Sequence, residues 1–179
     1  LVALKGTHTP NTAIDAAIEI AYEFLAAELK PYYVALAVFS APFTAAAAAA
    51  VWETPTETAQ HLLDRLVLRS LVDHQPGAST YQIHHLVRLH AQELLLGQPE
   101  RSQALVYNYA SHYLKEALRI NERLRANADQ TRQPLTSEAF RLIWQHLPKA
   151  WARVTGGDPG WPAPTSADRW ISDFPMRVL

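Results

Sequence analysis

The sequence of 179 residues has no cysteine and only six glycines. Without thiols there can be no disulfide, no thiolate zinc site and no cysteine nucleophile. None of the glycines precedes Lys-Ser or Lys-Thr, so the phosphate-cradling loop G-x-x-x-x-G-K-[ST] is missing. No apolar run ends in paired acids that could hold magnesium. On its own the chain is expected neither to bind ATP tightly nor to hydrolyse it. The G-x-S-x-G elbow of serine hydrolases is also missing, and Asp64, Asp73, Glu93 and Glu100 stand apart rather than paired. No apolar run reaches the roughly 18 residues that cross a bilayer. The longest, Ala45 to Trp52, is mostly alanine and about half that length. Nor is there an excess of either charge. A formal net charge of −1 gives no strong general attraction to DNA or to an anionic membrane.

The residues that are present suit a packed core. The hydrophobic fraction is 49% and the charged fraction 18%, which argues against bulk disorder. The amino end, Leu1 to Gly6, is too short for a signal peptide, and the carboxyl end stops on Met176-Arg177-Val178-Leu179 without a helix-stop signal. Both ends read as cuts in a longer protein, and the expected compartment is the cytoplasm.

Helical periodicity dominates. From Asn11, Ile14, Ile18, Ala21, Leu25 and Leu29 recur at helical spacing, and Pro31 ends that helix or opens the next. Thr44 can cap an alanine-rich helix over Ala45 to Val51. Thr54-Pro55-Thr56-Glu57 reads as a capping box opening a helix with Ala59, Leu62, Leu63, Leu66 and Val67 on one face. The stretches Ser70–His74 and Ser79–Ile83 flank Gln75-Pro76-Gly77-Ala78 and predict a two-stranded hairpin. A helix follows to a stop at Gly97. A long helix restarts at Gln98-Pro99, carrying Val106, Tyr109, Tyr113, Ala117, Ile120 and Leu124. Another opens at Ser137 with Phe140, Ile143, Trp144, Leu147, Trp151 and Val154, and a last one near Thr165 holds Trp170, Ile171 and Phe174. The five tryptophans are expected in the core and between helices.

The order helix, helix, helix, hairpin, helix is that of a winged helix. The chain therefore reads as mainly α. A tail of a preceding subdomain spans 1–10, a winged helix 11–97 and a helical extension 98–179, either a linker or the start of a tetratricopeptide-like solenoid. No internal repeat of 30 to 45 residues is convincing.

Three pieces resemble the winged-helix subdomain that comes after the NB-ARC module in STAND NTPases, which are nucleotide-gated signalling switches. They are Ala35-Leu36-Ala37-Val38-Phe39 with Pro42-Phe43, then Leu62 to Val72, then Tyr81-Gln82-Ile83-His84-His85-Leu86-Val87-Arg88. The third is similar to the family's Met-His-Asp motif. Ala104 to Leu124 is similar to the helical segment that succeeds the winged helix in bacterial members, so the likeness covers roughly positions 11 to 125. The resemblance implies that His84 contacts the β-phosphate of bound ADP. It also implies that ADP or ATP with Mg is held by a domain upstream of this chain, whose full-length protein is a slow ATPase. Expected partners are that NTPase core, a downstream repeat domain, and other copies of the protein on activation. Ile83 replaces the family's methionine conservatively. His85 stands where the family has aspartate, which removes that residue's usual interaction.

The residues alone give plainer readings as well. Taken without the motif, His84 is a structural histidine, and His85 a capping or solvated one. His61, His74, His90, His112 and His146 make no H-E-x-x-H or H-x-x-x-H pair, so no metal site is expected. One rival is a DNA-binding winged helix. Its recognition helix, Thr56 to Leu68, offers only Arg65 against Glu57 and Asp64, and the hairpin tip has no basic residue. Nucleic-acid and membrane partners are therefore not expected. The other rival is a plain helical interaction module from Gln98 onward.

Overall fold

The computed structural model describes residues 12–127, 137–154, 157–158 and 161. Among these the chain is mainly helical, with seven α-helices and one small antiparallel sheet. The expected tail at 1–10 and the expected last helix near Thr165, with Trp170, lie outside the described residues.

Helix α1 spans Thr12–Glu23, shorter than the predicted run to Leu29. Tight turns, with Leu25 N–H donating to Tyr22 and Leu29 N–H to Ala26, carry Leu25 and Leu29 into the core instead. Pro31 favours a fresh start over a continuous helix here: it has no N–H to donate and its ring crowds the carbonyl one turn earlier, which costs nothing in a first turn. It lies in the first turn of α2, Lys30–Ala35. A 3-10 turn, Leu36–Val38, then delivers Phe39 into extended backbone.

Thr44 caps α3, Ala45–Trp52, as expected, its Oγ1 accepting from Ala47 N–H at 3.2 Å. The capping box predicted at Thr54 does not form. Glu53 turns left-handed (φ 55°), and Thr54 N–H donates to Ala49 O at 3.1 Å. Thr54 thus belongs to the end of α3. Pro55 takes the cap position of α4, Thr56–Val67, and offers no side-chain hydrogen bond. Ala59, Leu62, Leu63 and Leu66 of α4 are buried, as the periodicity requires.

The hairpin is real but shorter than predicted. Strands β1, Asp73–Gln75, and β2, Thr80–Gln82, pair through Asp73↔Gln82, His74↔Tyr81 and Gln75↔Thr80. A third partner was not signalled by the sequence. Phe43 bridges Tyr81 through both backbone bonds, at 2.9 and 2.7 Å. A single extended residue after Pro42 is too short to show any alternation.

Helix α5 spans His85–Leu96 and stops at Gly97 as predicted, but Gly97 is right-handed (φ −69°) and needs none of glycine's freedom. Helix α6, Pro99–Asn127, is the longest at 29 residues. The short side chains of α3 let it approach closely, and Tyr109 of α6 meets Phe39 edge-on at 5.7 Å. Phe39 in turn stacks on Phe43 at 4.0 Å. One buried cluster runs from Ile18 to Trp161, crossing Gly97 without a break.

Helix α7, Ser137–Val154, packs on α6 with part of the predicted stripe: Val154 is buried and Ile143 and Leu147 lie partly buried against the core. Phe140, Trp144 and Trp151 are exposed, and His146, Ala150, Arg153 and Val154 are buried. Of the tryptophans expected inside, Trp52 and Trp161 are buried. Counting apolar bulk misses the rest of the inward face because that face also carries a histidine and an arginine. Both find partners there, which offsets the cost of burial.

Candidate functional site

His84 sits where the hairpin gives way to α5. Ile83 before it is buried and anchors the junction, while His84 itself is exposed. Its backbone is extended (φ −63°, ψ 143°), as an N-cap requires. His84 O accepts the first helical bond from Arg88 N–H at 2.9 Å, and His84 Nδ1 accepts from Leu86 N–H at 3.3 Å. An Nδ1 that accepts is unprotonated, so the neutral ring carries its proton on Nε2. Capping therefore leaves the outward nitrogen as a hydrogen-bond donor. The electropositive helix end lies directly behind it.

His85 is also exposed and points elsewhere: its Nδ1 lies 3.2 Å from an Arg88 guanidinium nitrogen. The two adjacent histidines thus do not form a pair. Among the described residues no group of three or more His, Cys, Asp or Glu side chains comes together to hold a metal ion.

The chain's buried polar chemistry lies elsewhere, at residues the sequence motifs do not single out. His146 is fully buried, with Nδ1 2.8 Å from Tyr109 OH and Nε2 2.9 Å from Pro42 O. Its ring stacks on Tyr113 at 4.2 Å. Burial pushes its pKa down to about 4. Burial likewise raises Tyr109 and Tyr113. Arg153 is 3% exposed; it donates to Val38 O at 2.5 Å and to Asp158 at 3.2 Å, and lies over Trp161 at 4.3 Å. These groups lash α7 to the segment 38–42. The signal in the sequence is the run His146, Ala150, Val154 at helical spacing, of which a count of large apolar residues finds only Val154.

A Tyr–His–Glu chain does form: Tyr33 OH is 2.8 Å from His90 Nδ1, and His90 Nε2 is 2.9 Å from Glu19. It resembles a catalytic relay in connectivity only. The Tyr33 hydroxyl is sealed in the core and burial raises its pKa, so it cannot serve as a nucleophile. It braces α1 against α2 and α5. A cleft of about 470 Å³ opens between α3 and α6, with Glu53, Asn108, Ser111, His112 and Lys115 on its walls. Burial lowers the His112 pKa there.

No known family model matches the chain, and no curated protein matches it. Among the described residues no helix is long and apolar enough to cross a membrane.

Proposed function

We propose that the chain is the regulatory winged-helix module of a STAND-type nucleotide switch. In this reading it docks on an upstream NTPase core and holds the ADP-bound, closed state through His84. It swings away on nucleotide exchange, which frees the protein to oligomerise or to release an effector. The observation that carries the proposal is the state of His84: an exposed imidazole at a strand-to-helix junction, its Nδ1 occupied and its Nε2–H available to an outside acceptor. The element order supports the architecture. Helices α2, α3 and α4 precede a hairpin wing, the wing is tied back through Phe43, and α5 follows. Helices α6 and α7, antiparallel candidates for the first pair of a solenoid, extend the same core.

A charge-assisted hydrogen bond from His84 to a phosphate oxygen is worth about 1.5–3 kcal/mol. That is a roughly ten- to hundredfold bias on a two-state switch, enough to favour the closed form without locking it. The test is the nucleotide that the full-length protein retains through purification. Wild type should carry ADP, and His84→Ala should carry far less. Equal ADP content in the two would remove His84 from the mechanism.

A further inference from the structure

We propose that the cleft between α3 and α6 binds a short peptide with free ends, about three residues long, whose amino group meets Glu53 and whose carboxylate meets Lys115. The inference does not rest on the nucleotide switch and uses none of its residues.

The cleft exists because α3 is made of alanine, whose side chains leave room that larger ones would fill. Its volume of about 470 Å³ is within the usual range of small-ligand sites. Ala50 lines it from α3. Facing it on α6, Ser111, Leu114, Lys115 and Leu118 follow at helical spacing, with Asn108 and His112 beside them. One contact fixes the register of the two helices. Asn108 Nδ2 donates to Val51 O at 3.4 Å, so the end of α3 lies level with Asn108. Ala46, one turn earlier in α3 than Ala50, lines a second cavity with His112 and Glu116. The helices therefore run antiparallel, and the chain beyond Val51 leads away from Lys115. Glu53 follows two residues after Val51, while Lys115 stands two turns on from Asn108, roughly 10 Å along α6. A carboxylate thus marks one end of the cleft and an ammonium the other. Among the described residues neither takes part in an ion pair.

Opposite charges at the two ends reject most classes of ligand. A polyamine would meet Lys115, and a dicarboxylate or a phosphate would meet Glu53. A ligand with an ammonium and a carboxylate about 10 Å apart meets neither repulsion, and three extended residues span that distance. A free amino acid is too short, because both its charged groups sit on one carbon. The carbonyl end of α3 favours the ammonium on the Glu53 side as well.

The groups between the two ends suit peptide bonds. A carbonyl accepts only from a donor, so Asn108 turns its NH₂ toward Val51 and its Oδ1 away. One N–H and one carbonyl of Asn108 remain, the complement of a peptide group. The Ser111 hydroxyl lies one turn further along. The His112 ring makes no hydrogen bond among the described residues, and burial keeps it neutral, with one donor and one acceptor nitrogen. Glu53 holds its place in a left-handed conformation (φ 55°), where glycine or asparagine is the usual choice.

The test is titration of the 179-residue chain with trialanine at neutral pH and low salt, followed by amide NMR shifts. Saturable shifts at Glu53, Asn108 and Ser111 are expected, with a Kd of about 1 mM for so small a ligand. Acetylating the amino end of the peptide should weaken binding roughly three- to tenfold, and amidating its carboxyl end should do the same. Glu53→Gln should remove the penalty for acetylation alone, and Lys115→Gln the penalty for amidation alone. Both residues are exposed, so both variants should fold, as circular dichroism will show. Ala50→Leu should fill the cleft and block binding without touching either charge. Absence of saturable shifts along the cleft overturns the proposal, as do blocking penalties that survive both charge variants. Alanine binding as tightly as trialanine also overturns it, in favour of a single amino acid.

Discussion

At the scale of single residues, two histidines divide the work. His84 is exposed and caps a helix, so replacing it changes both the cap and the outward donor. Serine is also a good N-cap but is far too short to reach a distant phosphate. His84→Ser should therefore leave the chain's stability within about 0.5 kcal/mol while abolishing the proposed phosphate contact, as thermal melts and nucleotide retention will read separately. His146 behaves oppositely. Its folded pKa of about 4 lies below the ordinary value of 6.5, so the unfolded chain binds the proton more readily across that window. Stability then rises with pH, and is lost as pH falls from about 6.5 towards 4. Between pH 7 and pH 5 the loss should be about 2 kcal/mol, and burial of His112 acts in the same direction. Urea unfolding at the two pH values checks this. In His146→Ala most of the pH dependence should vanish, whatever the fall in overall stability.

At the scale of elements, the junctions decide more than the helix interiors do. Glu53 ends α3 in a left-handed conformation that costs a non-glycine residue about 1 kcal/mol. Glu53→Gly should therefore stabilise by roughly 0.5–1 kcal/mol, measured as a higher urea midpoint at unchanged slope. The same junction shows why part of the fold was not legible in the sequence. Thr54-Pro55-Thr56-Glu57 fits a capping box, yet the backbone of Thr54 is already used by the end of α3. Local preference is outweighed when two helix ends share four residues. By contrast Thr44, the hairpin around Pro76-Gly77 and the stop at Gly97 were legible, because each is an isolated signal with no competing element. Helix α7 was half legible: its existence and the inward Ile143, Leu147 and Val154 follow from period, but the burial of His146 and Arg153 does not. Arg153 buries a full charge for one carbonyl, one carboxylate and two aromatic faces, those of Trp161 and Tyr109. Arg153→Met should loosen α7 and cost about 2–4 kcal/mol, seen as faster amide exchange confined first to residues 143–154.

At the scale of the whole molecule, α6 is the spine. It packs against both α3 and α7, so the core does not end at Gly97. Asn108 of α6 donates to Val51 O at 3.4 Å, and Tyr109 reaches Phe39. A chain cut after Gly97 should expose that face of α3 and bind a hydrophobic dye, unlike the intact chain. If α6 and α7 move with the preceding helices, a small change at His84 can be transmitted as a rigid-body swing rather than lost in a flexible linker. The position of His84 was legible from the Tyr81–Arg88 motif. Its tautomer was not, since that depends on a cap seen only in three dimensions.

The most direct measurement is the rate at which ADP leaves the full-length protein, followed with a fluorescent analogue in wild type, His84→Ser and His84→Ala. Release roughly ten- to hundredfold faster in both variants, with folding intact, is the predicted result. Identical release rates in all three would contradict the phosphate contact and the switch built on it.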